Sequence, residues 1–102
     1  MRKITQKMLD HYLATKPMKD GNTEIHVNEF DARGTITQIY LHGNLIAEFN
    51  DTGLNIQNCG WFTNVTKERL NALPNVNIYQ KNGKWFLNGK EWSGEFININ
   101  NQ

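Results

Sequence analysis

Cysteine is scarce: Cys59 is the only one in 102 residues, so no disulfide can close within the chain. No apolar run approaches the roughly 20 residues that a membrane-spanning helix needs. The start, Met1-Arg-Lys-Ile-Thr-Gln-Lys7, has no apolar stretch behind it, so we expect no signal peptide, no membrane and a cytoplasmic location. An excess of one charge is lacking too. The net charge of +1 argues against a DNA mimic, which needs a strongly acidic surface. It also argues against tight nucleic-acid binding, where phosphate contacts dominate affinity. The glycines at 43, 53, 60, 83, 89 and 94 stand alone as turn residues, so no phosphate loop or dinucleotide fingerprint is present. Low-complexity sequence is confined to the polar end Asn98–Gln102, which is expected to fray.

What remains is an ordinary globular composition, 38% hydrophobic and 21% charged, sized for one domain over residues 1–102 with one core. The charge is unevenly spread. Residues 1–19 carry five basic side chains and one acidic, residues 20–51 one basic and six acidic, and residues 52–102 five basic and three acidic. Such blocks let one face of a molecule meet an opposite face of another, and a homodimer is allowed for. Two Asn-x-Thr sequons, at Asn50 and Asn64, are expected by chance among 15 asparagines.

Residues 4–15 read as an amphipathic helix. Ile4, Met8, Leu9, Tyr12 and Leu13 recur at helical spacing, and Pro17 is expected to end the segment. Residues 19–22 (Lys-Asp-Gly-Asn) read as a loop. Four short strands follow, around Ile25–Val27, Thr35–Leu41, Leu45–Phe49 and Leu54–Gln57. They are separated by turns at Asp31–Gly34, His42–Asn44 and Asn50–Gly53. Thr63, Asn64 and Thr66 suit the N-cap of a second helix reaching about Ala72, with Val65, Leu70 and Leu73 inward and Pro74 stopping it. Asn82-Gly83 is the strongest hairpin signal, Asn88-Gly89 repeats it, and Phe96–Ile99 is a last strand. The expectation is an α+β fold: an N-terminal helix in a basic segment (1–19), an antiparallel meander, a central helix and C-terminal hairpins. The core spans 22–99, with 100–102 frayed.

Candidate chemistry is thin. Cys59 with His42 or His26 has the residue types of a thiol nucleophile and base, but no motif places a third orienting group. His11, His26, His42 and Cys59 match no zinc spacing. Glu24, Glu29, Asp31, Glu48 and Asp51 read as outward strand residues. No catalytic residue, metal or cofactor is therefore expected. The segment Tyr79–Trp92 interleaves Lys81, Lys84 and Lys90 with Tyr79, Trp85, Phe86 and Trp92. That pattern suits stacking on bases with ammoniums on phosphates, or a hairpin that turns Trp85 and Leu87 into the core and guards its edges with lysines.

Three stretches in order, Tyr40-Leu-His-Gly-Asn-Leu-Ile-Ala47, Gly60-Trp-Phe-Thr-Asn-Val-Thr-Lys-Glu-Arg-Leu-Asn-Ala-Leu73 and Ile78-Tyr-Gln-Lys-Asn-Gly-Lys-Trp-Phe-Leu-Asn-Gly89, the last continuing to Trp92-Ser-Gly94, carry a resemblance. The chain resembles a family of small proteins encoded by tailed bacteriophages, over about residues 22–97. The resemblance implies a non-enzymatic protein that binds and occludes a host protein, such as a defence nuclease, a CRISPR effector or a polymerase, in the bacterial cytoplasm. It carries over no catalytic residues. His42, Asn44, Trp61, Arg69 and Asn71 are candidates to line one site. Capping and packing account for all but His42 and Arg69, with Trp61-Phe62 read as an aromatic staple before the helix. The binding residues expected are thus His42 and Arg69, and Lys81, Lys84, Trp85 and Trp92 on the hairpin. A nucleic-acid accessory role for that hairpin is the alternative.

Overall fold

The computed structural model describes residues 1–30 and 34–99. Helix α1 (Lys3–Leu13) precedes β1 (Met18–Asp20), β2 (Thr23–Phe30), β3 (Gly34–Leu41), β4 (Asn44–Asn50) and β5 (Gly53–Ile56). Helix α2 (Asn64–Asn71) follows, then β6 (Ile78–Lys81), β7 (Lys84–Leu87), β8 (Lys90–Glu91) and β9 (Ile97–Asn98). One sheet runs β1-β2-β3-β4-β5-β9 and a second β6-β7-β8, with antiparallel pairing throughout. The α+β class holds. The expected four-strand meander is the centre of the larger sheet.

Strand parity sorts the two faces of that sheet. Ile25, Ile39, Ala47 and Ile56 stand opposite one another across β2 to β5, and all four are buried. Met8 of α1, Leu70 of α2, Trp85 and Leu87 of β7, and Trp92 join them in one core cluster. Each Ile or Leu so buried stabilises the fold by about 1.5–3 kcal/mol. The residues between them, such as His26, Gln38 and Glu48, face away. There Gln38 Nε2 and Asn50 Nδ2 donate to Glu48 at 2.9 and 2.8 Å.

Three expectations need correction. Helix α1 stops at Leu13, before Pro17. Thr15 takes the left-handed conformation (φ 55°); its N–H bonds Tyr12 and that of Lys16 bonds His11, the Schellman pattern that ends a helix. Met18–Asp20, expected to run into a loop, is a strand because Gly21-Asn22 closes a hairpin that pairs it with Thr23–Ile25. At the far end, Asn98 does not fray. It pairs with Asn55 across β9 and β5, donates to Thr52 O at 2.9 Å, and is followed by buried Ile99. Residues 31–33 of the turn expected at Asp31–Gly34, and the frayed end 100–102, lie outside the described residues.

Helix α2 begins where the cap chemistry predicts, with Thr63 Oγ1 accepting from Thr66 N–H at 3.2 Å. Its last residue, Asn71, reaches the small sheet. Asn71 Nδ2 donates to Ile78 O at 2.9 Å and Asn71 Oδ1 accepts from Ile78 N–H at 2.6 Å. One amide side chain thus does for β6 what a neighbouring strand would do, and it blunts that edge against pairing with another chain. Replacing Asn71 with alanine is expected to cost about 1–2 kcal/mol, read as a lower urea midpoint with an unchanged slope.

Candidate functional site

The site is assembled from the β3–β4 hairpin and the segment that leads into α2. Leu41 pairs with Asn44 across a two-residue turn, His42-Gly43, whose φ values of 51° and 78° are both left-handed. Past the turn the register shifts, with Ile39 opposite Ala47 and Tyr40 opposite Leu45. Ile46 is therefore an extra residue, and a bulge of this kind re-aims a side chain. Ile46 points into a cavity of about 200 Å³ walled also by Leu41, Val65 and Trp61. His42 and Asn44 stand at the turn side of the cavity. Thr63 and Thr66 close the helix side, their hydroxyls hydrogen-bonded to each other at 3.0 Å.

The segment from Gln57 to Thr63 is pinned by a buried asparagine. Asn58 N–H donates to Gly94 O at 3.0 Å, Trp61 N–H to Asn58 O at 2.8 Å, and Gly60 N–H to Asn58 Oδ1 at 2.9 Å. The Asn58 amide lies against Gly94 with no room for a Cβ there. This anchoring turns Trp61 and Phe62 outward, 55% and 54% exposed. The expected aromatic staple is not formed. A staple joins the residue before the cap to the fourth residue of the helix, and that fourth residue is Lys67. Phe62 instead forms a T-shaped pair with Trp85, centroids 5.1 Å apart, and Lys67 Nζ sits 5.7 Å from the Trp85 ring centre.

A chain of hydrogen bonds runs from the interior to the cavity. Arg69 is 1% exposed. Its Nη1 donates to Thr5 Oγ1 at 2.7 Å and Glu68 Oε1 at 2.8 Å, and its Nε to Thr23 Oγ1 at 3.2 Å. Thr23 donates its hydroxyl to Asn22 Oδ1 at 2.8 Å. That leaves Asn22 Nδ2 facing His42 Nε2 at 3.3 Å. An amide nitrogen only donates, so Nε2 accepts and the ring proton of neutral His42 resides on Nδ1. Burial pulls the Arg69 guanidinium below its ordinary pKa, while the Glu68 charge opposes that. Glu68 is held below the usual carboxylate range, first by the Thr5 hydroxyl and then by Arg2 and Arg69.

The expected binding residues therefore scatter. His42 lines the cavity. Arg69 is buried and reaches that cavity only through Thr23 and Asn22. Trp85 and Trp92 are each 3% exposed, which withholds their faces from a stacking base and corrects the expectation of a surface role. Burial follows from parity for Trp85, which shares a face with Leu87, and from an indole hydrogen bond to Glu95 O at 2.9 Å for Trp92. Lys81 and Lys84 flank the Asn82-Gly83 tip, exposed, with Lys84 Nζ 3.5 Å from Glu91. Cys59 is exposed, yet its thiol donates to Leu45 O at 3.0 Å and desolvation pushes its pKa up, the opposite of an activated nucleophile. Among the described residues no group of three or more His, Cys, Asp or Glu is placed to hold a metal. No helix among them is long and apolar enough to cross a membrane. The feature missed at the sequence level is the exposed Trp61-Phe62 pair. A signal for it was present: an aromatic before the cap with a lysine, not an apolar residue, four positions into the helix.

The family model described as Kyanoviridae Gp96 protein matches residues 1–101. No curated protein and no solved structure matches the chain.

Proposed function

From the premise that the chain belongs to the Kyanoviridae Gp96 protein family, a family of phage proteins, we propose that it is a non-enzymatic binding protein that inhibits a host protein by occlusion, through the face bearing Trp61 and Phe62. The observation that carries this reading is the pair of adjacent aromatic rings more than half exposed on a segment anchored by buried Asn58. Large apolar rings left in water are unfavourable unless something covers them, and Trp is enriched among the residues that dominate interface energy. The neighbouring cavity adds concave surface to the same face. A standard interface of about 800 Å² per partner would cover both.

The nucleic-acid alternative keeps Lys81, Lys84 and the Tyr79–Phe86 pair, stacked at 5.3 Å, but lacks Trp85 and Trp92, so it is the weaker reading. The test is capture from a lysate of the bacterial host, then purification of the captured protein and assay of its own activity. We expect stoichiometric capture and loss of that activity. The double substitution Trp61→Ala, Phe62→Ala should weaken capture at least a hundredfold, since two interface anchors are worth about 2 kcal/mol or more each. Equal capture by the double variant, or salt-sensitive binding of single-stranded DNA in place of any protein, counts against the proposal.

A further inference from the structure

Among the described residues three hairpin turns share one design. His42-Gly43 joins Leu41 to Asn44, Asn82-Gly83 joins Lys81 to Lys84, and Asn88-Gly89 joins Leu87 to Lys90. Their φ pairs are 51° and 78°, 54° and 77°, 51° and 91°. A turn that is left-handed at both positions favours Asn-Gly, and the chain uses it twice. At the third, histidine holds a conformation that asparagine adopts more readily. Turn formation therefore does not account for the imidazole. This is also the turn that borders the cavity, and here the relay from Arg69 through Thr23 and Asn22 ties up Nε2 and leaves Nδ1–H as the one ring donor.

Size and charge narrow what the cavity holds. Sites for cofactors and drug-sized ligands run to about 300–1,000 Å³, whereas an apolar cavity of about 150 Å³ holds one benzene ring. At about 200 Å³ this cavity suits a single ring or branched aliphatic group. Among the described residues no charged side chain lines it, so an anion or cation inside would be desolvated without a partner. Charge complementarity selects a neutral, apolar occupant with one hydrogen-bond acceptor. We propose that the cavity receives one apolar side chain of a partner polypeptide, leucine- or phenylalanine-sized, while His42 Nδ1–H donates to that residue's backbone carbonyl. This rests on the reading of the Trp61–Phe62 face as a protein interface and adds the element of the partner that enters it.

Nuclear magnetic resonance titration tests it without the partner. The probes are N-acetyl-leucine methylamide and N-acetyl-phenylalanine methylamide, with toluene as the probe lacking an acceptor and phenyl phosphate as the anionic one. The readout is the methyl resonances of Leu41, Ile46 and Val65. We expect the capped residues to bind, toluene to bind about tenfold more weakly, and phenyl phosphate not to bind. In His42→Asn the fold should be at least as stable, because the turn gains its preferred residue. Its affinity for the capped residues should fall about tenfold, to the level of toluene. Absence of methyl shifts with the capped residues, unchanged affinity in His42→Asn, or preferential binding of phenyl phosphate would overturn the proposal. Failure here with capture still abolished by Trp61→Ala, Phe62→Ala would sink the cavity assignment alone. Probe binding without any captured protein would sink the interface reading and leave the cavity chemistry standing.

Discussion

Arg69→Ala is expected to lower stability by about 3–5 kcal/mol, the cost of emptying the space of a fully buried side chain and losing the hydrogen bonds it donates. For a domain of this size that is a large part of the total. The guanidinium serves Thr5 on α1, Thr23 at the start of β2 and Glu68 on α2 together. Removing it leaves hydroxyls without their donor and a cavity in the place of a large, fully buried side chain. Arg69→Lys keeps the charge but not the fork that reaches two directions at once, so it should recover only part of the loss. The pH dependence supplies a second readout. Glu68 has a folded pKa below its unfolded value, so its contribution is present above the unfolded pKa and is lost as pH falls through the folded one. Wild type should lose stability across that acid range more steeply than Arg69→Ala. Urea denaturation at several pH values measures both effects.

Trp85→Ala is expected to cost about 3–5 kcal/mol as well, by the lost transfer energy and the cavity left behind. Trp85 packs against Trp92 at 6.3 Å, against Phe62 in a T-shaped pair and beneath Lys67. Its loss therefore loosens the small sheet and the support under the exposed aromatic pair. The signature is a loss of near-ultraviolet dichroism and a lower denaturation midpoint. A ring used for stacking on nucleic acid would show the reverse: unchanged stability and weakened binding of single strands.

Much of the architecture was legible because it is written in local chemistry. Thr63 caps α2, Asn82-Gly83 and Asn88-Gly89 turn their hairpins, and alternation in Thr35–Leu41 shows its two faces, each without help from distant residues. What was not legible depends on distant pairing. Met18-Lys19-Asp20 has no strand pattern of its own and becomes a strand because β2 lies beside it. Asn98 looked like part of a polar tail until paired with Asn55. Parity alone turned Trp85 inward with Leu87, but Trp92 lies past the last turn, where no period constrains it, and its burial rests on Glu95. The candidate site divides in the same way. His42 stood out as a turn residue of unusual type. Its connection to Arg69 through Thr23 and Asn22 joins residues far apart in sequence, and no spacing rule could have shown it.

The most direct measurement is acrylamide quenching of the three tryptophans, with Trp61→Phe to assign the signal, in the free protein and again in complex with the captured host protein. One accessible indole, absent in Trp61→Phe and shielded in the complex, is the expected result. Accessible rings at Trp85 or Trp92, or a Trp61 that stays open to quencher in the complex, would contradict it.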